Sequence, residues 1–71
     1  MTDVIELEYA LKKAKMTKKA FAIALGISLQ TLYNKLNNSA EFKASEILKA
    51  CEILGLKNSE KEIIFFANGV D

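Results

Sequence analysis

Three amide side chains, Gln30, Asn34 and Asn37, recur at helical spacing near the middle of the chain. At about 100° of rotation per residue they lie on one side of a helix, opposite Leu32 and Leu36. The amide groups of Gln and Asn can form paired hydrogen bonds with the edge of an adenine base. These residues are therefore candidates for reading DNA bases, and the alternative is that they form a solvated helix face.

Hydroxyl and ammonium groups near this row complete the candidate set. Thr31 and Tyr33 flank the amides on the same helix. Ser28 stands at the start of this helix, where its hydroxyl or the backbone N–H groups can reach phosphate. Thr17, Lys18 and Lys19 open the preceding helix, whose dipole favours an anion at that end. The residues predicted to contact double-stranded DNA are Thr17, Lys18, Lys19, Ser28, Gln30, Thr31, Tyr33, Asn34, Lys35 and Asn37.

The chain of 71 residues has a net charge of only +1, but its basic residues are concentrated. Residues 12–43 contain seven Lys and one Glu between two acidic ends. This basic segment is either a face for a polyanion or a solvated surface. All ten basic residues are Lys. Guanine, which Arg usually reads, would depend on Lys35 or Lys43, so we expect a site rich in A·T pairs.

The composition argues against catalysis and against a membrane protein. The chain has no His, no Cys/His cluster and no Gly-rich phosphate loop, and its one Cys has core spacing. We therefore expect no enzyme activity, no metal or other cofactor and no small-molecule ligand. Its apolar stretches are far shorter than the roughly 18 residues of a membrane span, and the acidic N-terminus is unlike a secretory signal. A cytoplasmic location is the simplest expectation.

The elements that position the candidate residues are predicted to be five short helices in one all-α domain over residues 1–71. Thr17 and Ser28 have the character of N-caps, and Gly26 between them suits a left-handed turn. The predicted helices span residues 4–15, 18–25, 29–36 and 44–54, and a fifth opens at Asn58 or Ser59 with a Ser59–Glu62 capping box.

Residues 18–37 resemble the helix-turn-helix of the lambda-repressor/Cro-like family. Ala22, Gly26 and Leu32 stand at the fifth, ninth and fifteenth positions of that motif, and the resemblance extends over roughly residues 5–66. It implies a compact five-helix, lambda-repressor-like DNA-binding domain that reads operator DNA with residues 29–36. The chain is similar to small phage Cro-type regulators, which implies a repressor of a lysis–lysogeny switch in the host-cell cytoplasm.

Two positions depart from the family pattern. Lys18 stands where the family often has a Gln that contacts the DNA backbone, so a phosphate contact is retained but the amide bridge to the next helix is lost. Leu29 stands where related proteins often carry a base-reading Gln, and it is suited instead to a thymine methyl group.

Ile63, Ile64, Phe65 and Phe66 form a run of four large apolar residues. On a helix they point around most of the circumference, so a small core cannot bury them all. We predict a surface for a second copy of the chain, because helix-turn-helix proteins commonly bind half-sites about 34 Å apart as dimers, or for a phage repressor. The alternative is that this helix is wedged between the first and fourth helices, with residues 69–71 folded over it.

A second function class fits the same fold. The chain would then be an anti-repressor or modulator that acts by binding a partner repressor protein. The absence of Arg, the near-zero net charge and the apolar run all favour this alternative. A third class, an antitoxin or other chromosomal regulator, has the same sequence features.

Overall fold

Residues 1–66, the part of the chain that the computed structural model describes, fold into five α-helices without a β-strand. The all-helical prediction is confirmed. The second, third and fourth helices have the predicted bounds, whereas the first ends two residues early, ahead of Lys15 with its left-handed φ of 57°. The helices are α1 (Val4–Lys13), α2 (Lys18–Leu25), α3 (Leu29–Leu36), α4 (Ala44–Leu54) and α5 (Asn58–Phe65).

The predicted N-caps of α2 and α3, Thr17 and Ser28, are confirmed. The Thr17 hydroxyl accepts a hydrogen bond from the backbone N–H of Ala20 at 3.0 Å, and the Ser28 hydroxyl accepts one from Thr31 at 3.0 Å. Each cap satisfies an N–H group of the first turn that has no partner within the helix. Both helix starts are therefore encoded locally.

The turn between α2 and α3 depends on Gly26. Its φ of 79° lies in the left-handed region that a side chain disfavours. In this geometry the N–H of Ile27 donates to the carbonyl of Ala22 at 3.0 Å, which closes the end of α2. The chain can then reverse within three residues and set α3 against α2.

The start of α5 agrees with the prediction, but its capping residues do not. The helix begins at Asn58 with Lys57 as its N-cap, and the Glu60 carboxylate accepts a hydrogen bond from the Lys57 backbone N–H at 2.8 Å. The predicted Ser59–Glu62 capping box is wrong. A Glu at the third helical position can bond the N-cap backbone whatever the N-cap side chain is, so Lys57 and Glu60 form the box in place of Ser59 and Glu62.

The hydrophobic core lies around α2, which packs against α3 and α4, while α5 packs against α1 and α4. The completely buried side chains include Leu7 of α1, Phe21 of α2 and Leu32 of α3. The alternative placement of the fifth helix between the first and fourth therefore agrees with its packing. Residues 69–71, invoked in the same alternative, lie outside the described residues.

The segment before α1 connects two distant parts of the fold. The backbone N–H of Thr2 donates to the Asn38 side chain at 2.9 Å, just beyond α3. The next residue, Asp3, donates its backbone N–H to the carbonyl of Ile64 in α5 at 2.7 Å. The first residues of the chain thus join the end of α3 to the last helix.

A Gly26→Ala substitution tests the turn that sets α3. A methyl group there would meet no atom within 4 Å, so the expected cost is conformational alone. We expect the free energy of unfolding to fall by about 1–2 kcal/mol, as measured by urea denaturation. Gly26→Asn is the matched variant, and it should lose less because Asn tolerates a left-handed φ. Unchanged stability of Gly26→Ala would contradict the assigned role.

Candidate nucleic-acid interface

The amide row lies on the outer face of α3. Gln30, Asn34 and Asn37 are all exposed, whereas Leu32 and Leu36 on the opposite side are buried. The Gln30 side-chain nitrogen donates to the Asn34 side-chain oxygen at 3.2 Å. Each amide keeps a second polar atom, an oxygen acceptor on Gln30 and a nitrogen donor on Asn34. This donor and acceptor together match the pattern that adenine presents in the major groove.

The start of α3 adds hydroxyl groups beside this row. Ser28 donates its hydroxyl to that of Thr31 at 2.9 Å while also capping the helix. Ser28 and Tyr33 are exposed, and Thr31 is half-buried. Two of these three predicted contact residues, Ser28 and Tyr33, are therefore accessible from solvent, as the amides are.

The N-terminus of α2 presents two lysines in different states. Lys19 is exposed, whereas the ammonium nitrogen of Lys18 lies 2.7 Å from a carboxylate oxygen of Glu8 on α1. The hydrogen bond that Lys18 donates to the Glu8 carboxylate raises the pKa of Lys18 above its usual value. Thr17 is exposed, with its hydroxyl engaged as the helix cap. The sequence does not indicate this pair, because nothing local links positions ten residues apart.

Lys35 does not belong to the exposed set. The side chain is buried, with only 5% of the residue exposed, so its predicted contact with DNA is wrong. Its ammonium nitrogen lies 2.9 Å from a Glu46 carboxylate oxygen and donates to the Glu41 carbonyl oxygen at 3.0 Å. Lys35 lies on the flank of α3, and its long stem reaches inward to α4. Lys43, the other lysine considered for guanine, is exposed.

The buried Lys35–Glu46 pair perturbs the titration of its acid. Burial acts to raise the pKa of Glu46. The hydrogen bond from the Lys43 backbone N–H and the ion pair with Lys35 outweigh burial, so the pKa lies below its usual value. The charged carboxylate therefore stabilises the folded chain.

Comparison with known proteins adds a family assignment to this geometry. Residues 4–68 match the family DUF739, described as a protein of unknown function. The chain belongs to the DUF739 family. No curated protein sequence matches the chain at a significant level. The amide row, both helix caps and the buried ion pair all lie within the part of this DUF739 chain that matches the family.

The apolar run of this DUF739 chain is divided between core and surface. Ile64 and Phe65 are buried, and the Phe65 ring lies edge-on against Phe42 with ring centres 5.1 Å apart. Their predicted place in a partner surface is wrong, because α5 turns these two residues toward α1 and α4. Ile63 and Phe66 are 53% and 47% exposed and remain candidates.

An apolar groove lies beside Phe66, between α4 and α5. It has a volume of about 350 Å³, and Lys61 is the charged side chain among its lining residues. Leu48 on its α4 wall is 63% exposed, and sequence reasoning missed it. The available signal was that Leu48 lies off the face shared by Ile47 and Cys51. The α4–α5 groove is lined by Phe42, Ala44, Ile47, Leu48, Lys61 and Phe66.

Residues 1–66 of this DUF739 member contain neither a candidate metal-binding group nor a membrane-spanning helix. Within residues 1–66, no three His, Cys, Asp or Glu side chains are grouped so that they could hold a metal ion. Across the same residues, no helix is both long enough and apolar enough to cross a bilayer.

A Glu46→Gln substitution tests the buried pair and its pH dependence. The folded pKa of Glu46 is below that of the unfolded chain, about 4.3. Its stabilising effect is therefore present above that value and is lost as the pH falls through the folded pKa. We expect Glu46→Gln to lose about 3 kcal/mol of unfolding free energy at pH 7, and to depend less on pH below 5.

Urea unfolding at pH 7 and at several acidic pH values measures both effects. Glu41→Gln is the matched control, because Glu41 is exposed and accepts the Lys35 hydrogen bond through its backbone carbonyl. Replacing both charged partners, as Lys35→Met with Glu46→Leu, should recover most of the lost stability. Equal effects of Glu46→Gln and Glu41→Gln would contradict the role of the pair.

Proposed function

We propose that this DUF739 member is a sequence-specific DNA-binding transcriptional regulator. In this proposal the fold is a lambda-repressor-like helix-turn-helix domain, and α3 enters the major groove of operator DNA. The biological role would be that of a Cro-like repressor in a phage lysis–lysogeny switch, exerted by blocking promoter access in the host-cell cytoplasm.

The exposed Gln30–Asn34 pair carries the proposal. An amide pair on the outer face of a short helix, anchored on its other face by Leu32 and Leu36, has the chemistry and direction that adenine readout needs. Solvation alone does not require two amides to be aligned by a hydrogen bond between them. The short turn at Gly26 supports the proposal further. It joins two capped helices, α2 and α3, in the order helix, turn, helix.

The distribution of charge supports contact with phosphate around this helix. Lys19 at the N-terminus of α2 and Lys43 at the N-terminus of α4 are both exposed. Ammonium groups at these positions add to the partial positive charge of the helix ends. Phosphate contacts of this kind fix the orientation of a protein on DNA, and the amides would then supply the sequence dependence.

The double variant Gln30→Ala/Asn34→Ala tests base readout. We expect affinity for the operator to fall by at least tenfold, because each paired amide contact contributes roughly 1–3 kcal/mol of discrimination. Affinity for random DNA and the salt dependence should change little, since neither side chain is charged. The measurement is a fluorescence-anisotropy titration of the DNA upstream of the chain's own coding sequence.

Asn58→Ala is the matched control, because Asn58 is an exposed amide on α5. It should bind the operator as the unmodified chain does. Operator affinity that survives in the double variant would exclude α3 amides as the reading residues.

A second candidate function, a modulator that binds a partner repressor, is favoured by the α4–α5 groove. Leu48 and Phe66 are about half exposed or more, and exposed apolar groups gathered around a groove are typical of protein–protein contacts. The same surface would serve a homodimer on DNA. The two functions are compatible, since the amide row and the groove are formed by different helices.

A Leu48→Asp substitution separates these roles. A carboxylate there would be desolvated by any partner seated in the groove, so we expect association to weaken by at least tenfold while the monomer stays folded. Sedimentation of the chain alone reports a homodimer, and sedimentation with the neighbouring repressor reports a modulator. Ile5→Asp, at an exposed position on α1, is the control. Association unaffected by Leu48→Asp would exclude the groove.

A further inference from the structure

The ion pair between α1 and α2 stands at the place where a phosphate group would approach. Lys18 is the first residue of α2, and its ammonium nitrogen lies 2.7 Å from a Glu8 carboxylate oxygen. This distance is typical of a charge-assisted hydrogen bond. Both side chains are partly exposed, so the pair lies at the surface and has room to rearrange.

Two opposite effects meet at this helix end. The N–H groups of the first turn and the helix dipole attract an anion. The Glu8 carboxylate repels an anion, and it is already paired with the Lys18 ammonium group that would otherwise bind the anion. The neighbouring Lys19 is exposed at the same helix end, so the two adjacent lysines differ in their availability.

We propose that Glu8 limits the affinity of the chain for phosphate backbones by holding Lys18 in an ion pair. This inference rests on the proposed DNA-binding function and identifies a residue that sets its strength. Phosphate contact is the part of DNA binding that carries no sequence information. Glu8 therefore lowers binding to all DNA alike, and the amides of α3 account for a larger share of what remains.

A Glu8→Gln substitution should release the Lys18 ammonium for phosphate. We expect affinity for both operator and random duplex to rise about two- to fivefold, the range of a surface ion pair. The slope of log affinity against log salt should steepen by about 0.9, the value for one additional phosphate contact.

The matched control is Glu6→Gln. It removes the same charge from the same helix, but position 6 lies about 160° around α1 from position 8. The hydrogen bond of Glu6 to the Asp3 cap is donated by its backbone N–H and is kept in this variant. Lys18→Met and the double variant Glu8→Gln/Lys18→Met complete a cycle that isolates the contribution of Lys18. Thermal unfolding of each variant checks that the domain is intact.

Anisotropy titrations with operator and random duplexes, at several salt concentrations, give the first result. A gain in Glu8→Gln that exceeds the gain in Glu6→Gln and disappears without Lys18 supports the proposal. A gain equal to that of Glu6→Gln, a gain that persists in the Lys18→Met background, or weaker binding by Glu8→Gln overturns it.

Elution from immobilised heparin gives the second result and does not depend on an operator. The Glu8→Gln variant should elute at higher salt than Glu6→Gln, and equal elution overturns the proposal. If the unmodified chain binds no duplex at all, the proposed DNA-binding function fails, and the heparin elution alone decides whether Glu8 restrains Lys18.

Discussion

The Lys35 ammonium group joins three segments of the chain: α3, the loop that follows it and the first turn of α4. It lies 5.6 Å from the centre of the Phe42 ring as well, so the loop is held through both a backbone carbonyl and an aromatic face. The desolvation cost of an ion pair removed from water is offset only when further hydrogen bonds are made by both charged groups. Here Glu46 meets that condition, since it also accepts the N–H of Lys43. The contact therefore ties α3 to the start of α4, in addition to its packing on α2.

Ion pairs, of which this is one, also reduce the positive charge that the basic middle segment, residues 12–43, leaves unpaired. Three of its seven lysines are held in ion pairs, with Glu60, Glu8 and Glu46 as the acids. A charge count along the sequence therefore overstates the positive potential that a polyanion would meet. Lysines of the segment that remain exposed include Lys12, Lys15, Lys19 and Lys43. In the proposed DNA-binding role, a surface with this few unpaired lysines would depend on amides and hydroxyls for recognition.

Much of the helical structure could be predicted from the sequence because its signals are local. Thr17, Ser28 and Gly26 act on residues within four positions of themselves, and the bounds of α2 and α3 follow from them. The burial of Lys35 could not be predicted in this way, because its partner Glu46 is eleven positions away on another helix. The division of the apolar run at Ile64 and Phe65 likewise depended on how α5 is rotated against the rest of the domain.

The joining of the first residues to α5 has a consequence for how the chain is made. The N–H of Asp3 bonds to Ile64, and α1 packs on α5, which is the last of the five helices to leave the ribosome. The core around Leu7 is therefore incomplete until α5 has been synthesised and packs on α1. Until then the apolar face of α1 is open to water, to chaperones and to other nascent chains. Folding of this small domain therefore requires α5, and a polypeptide truncated before α5 is expected to remain a substrate for proteolysis.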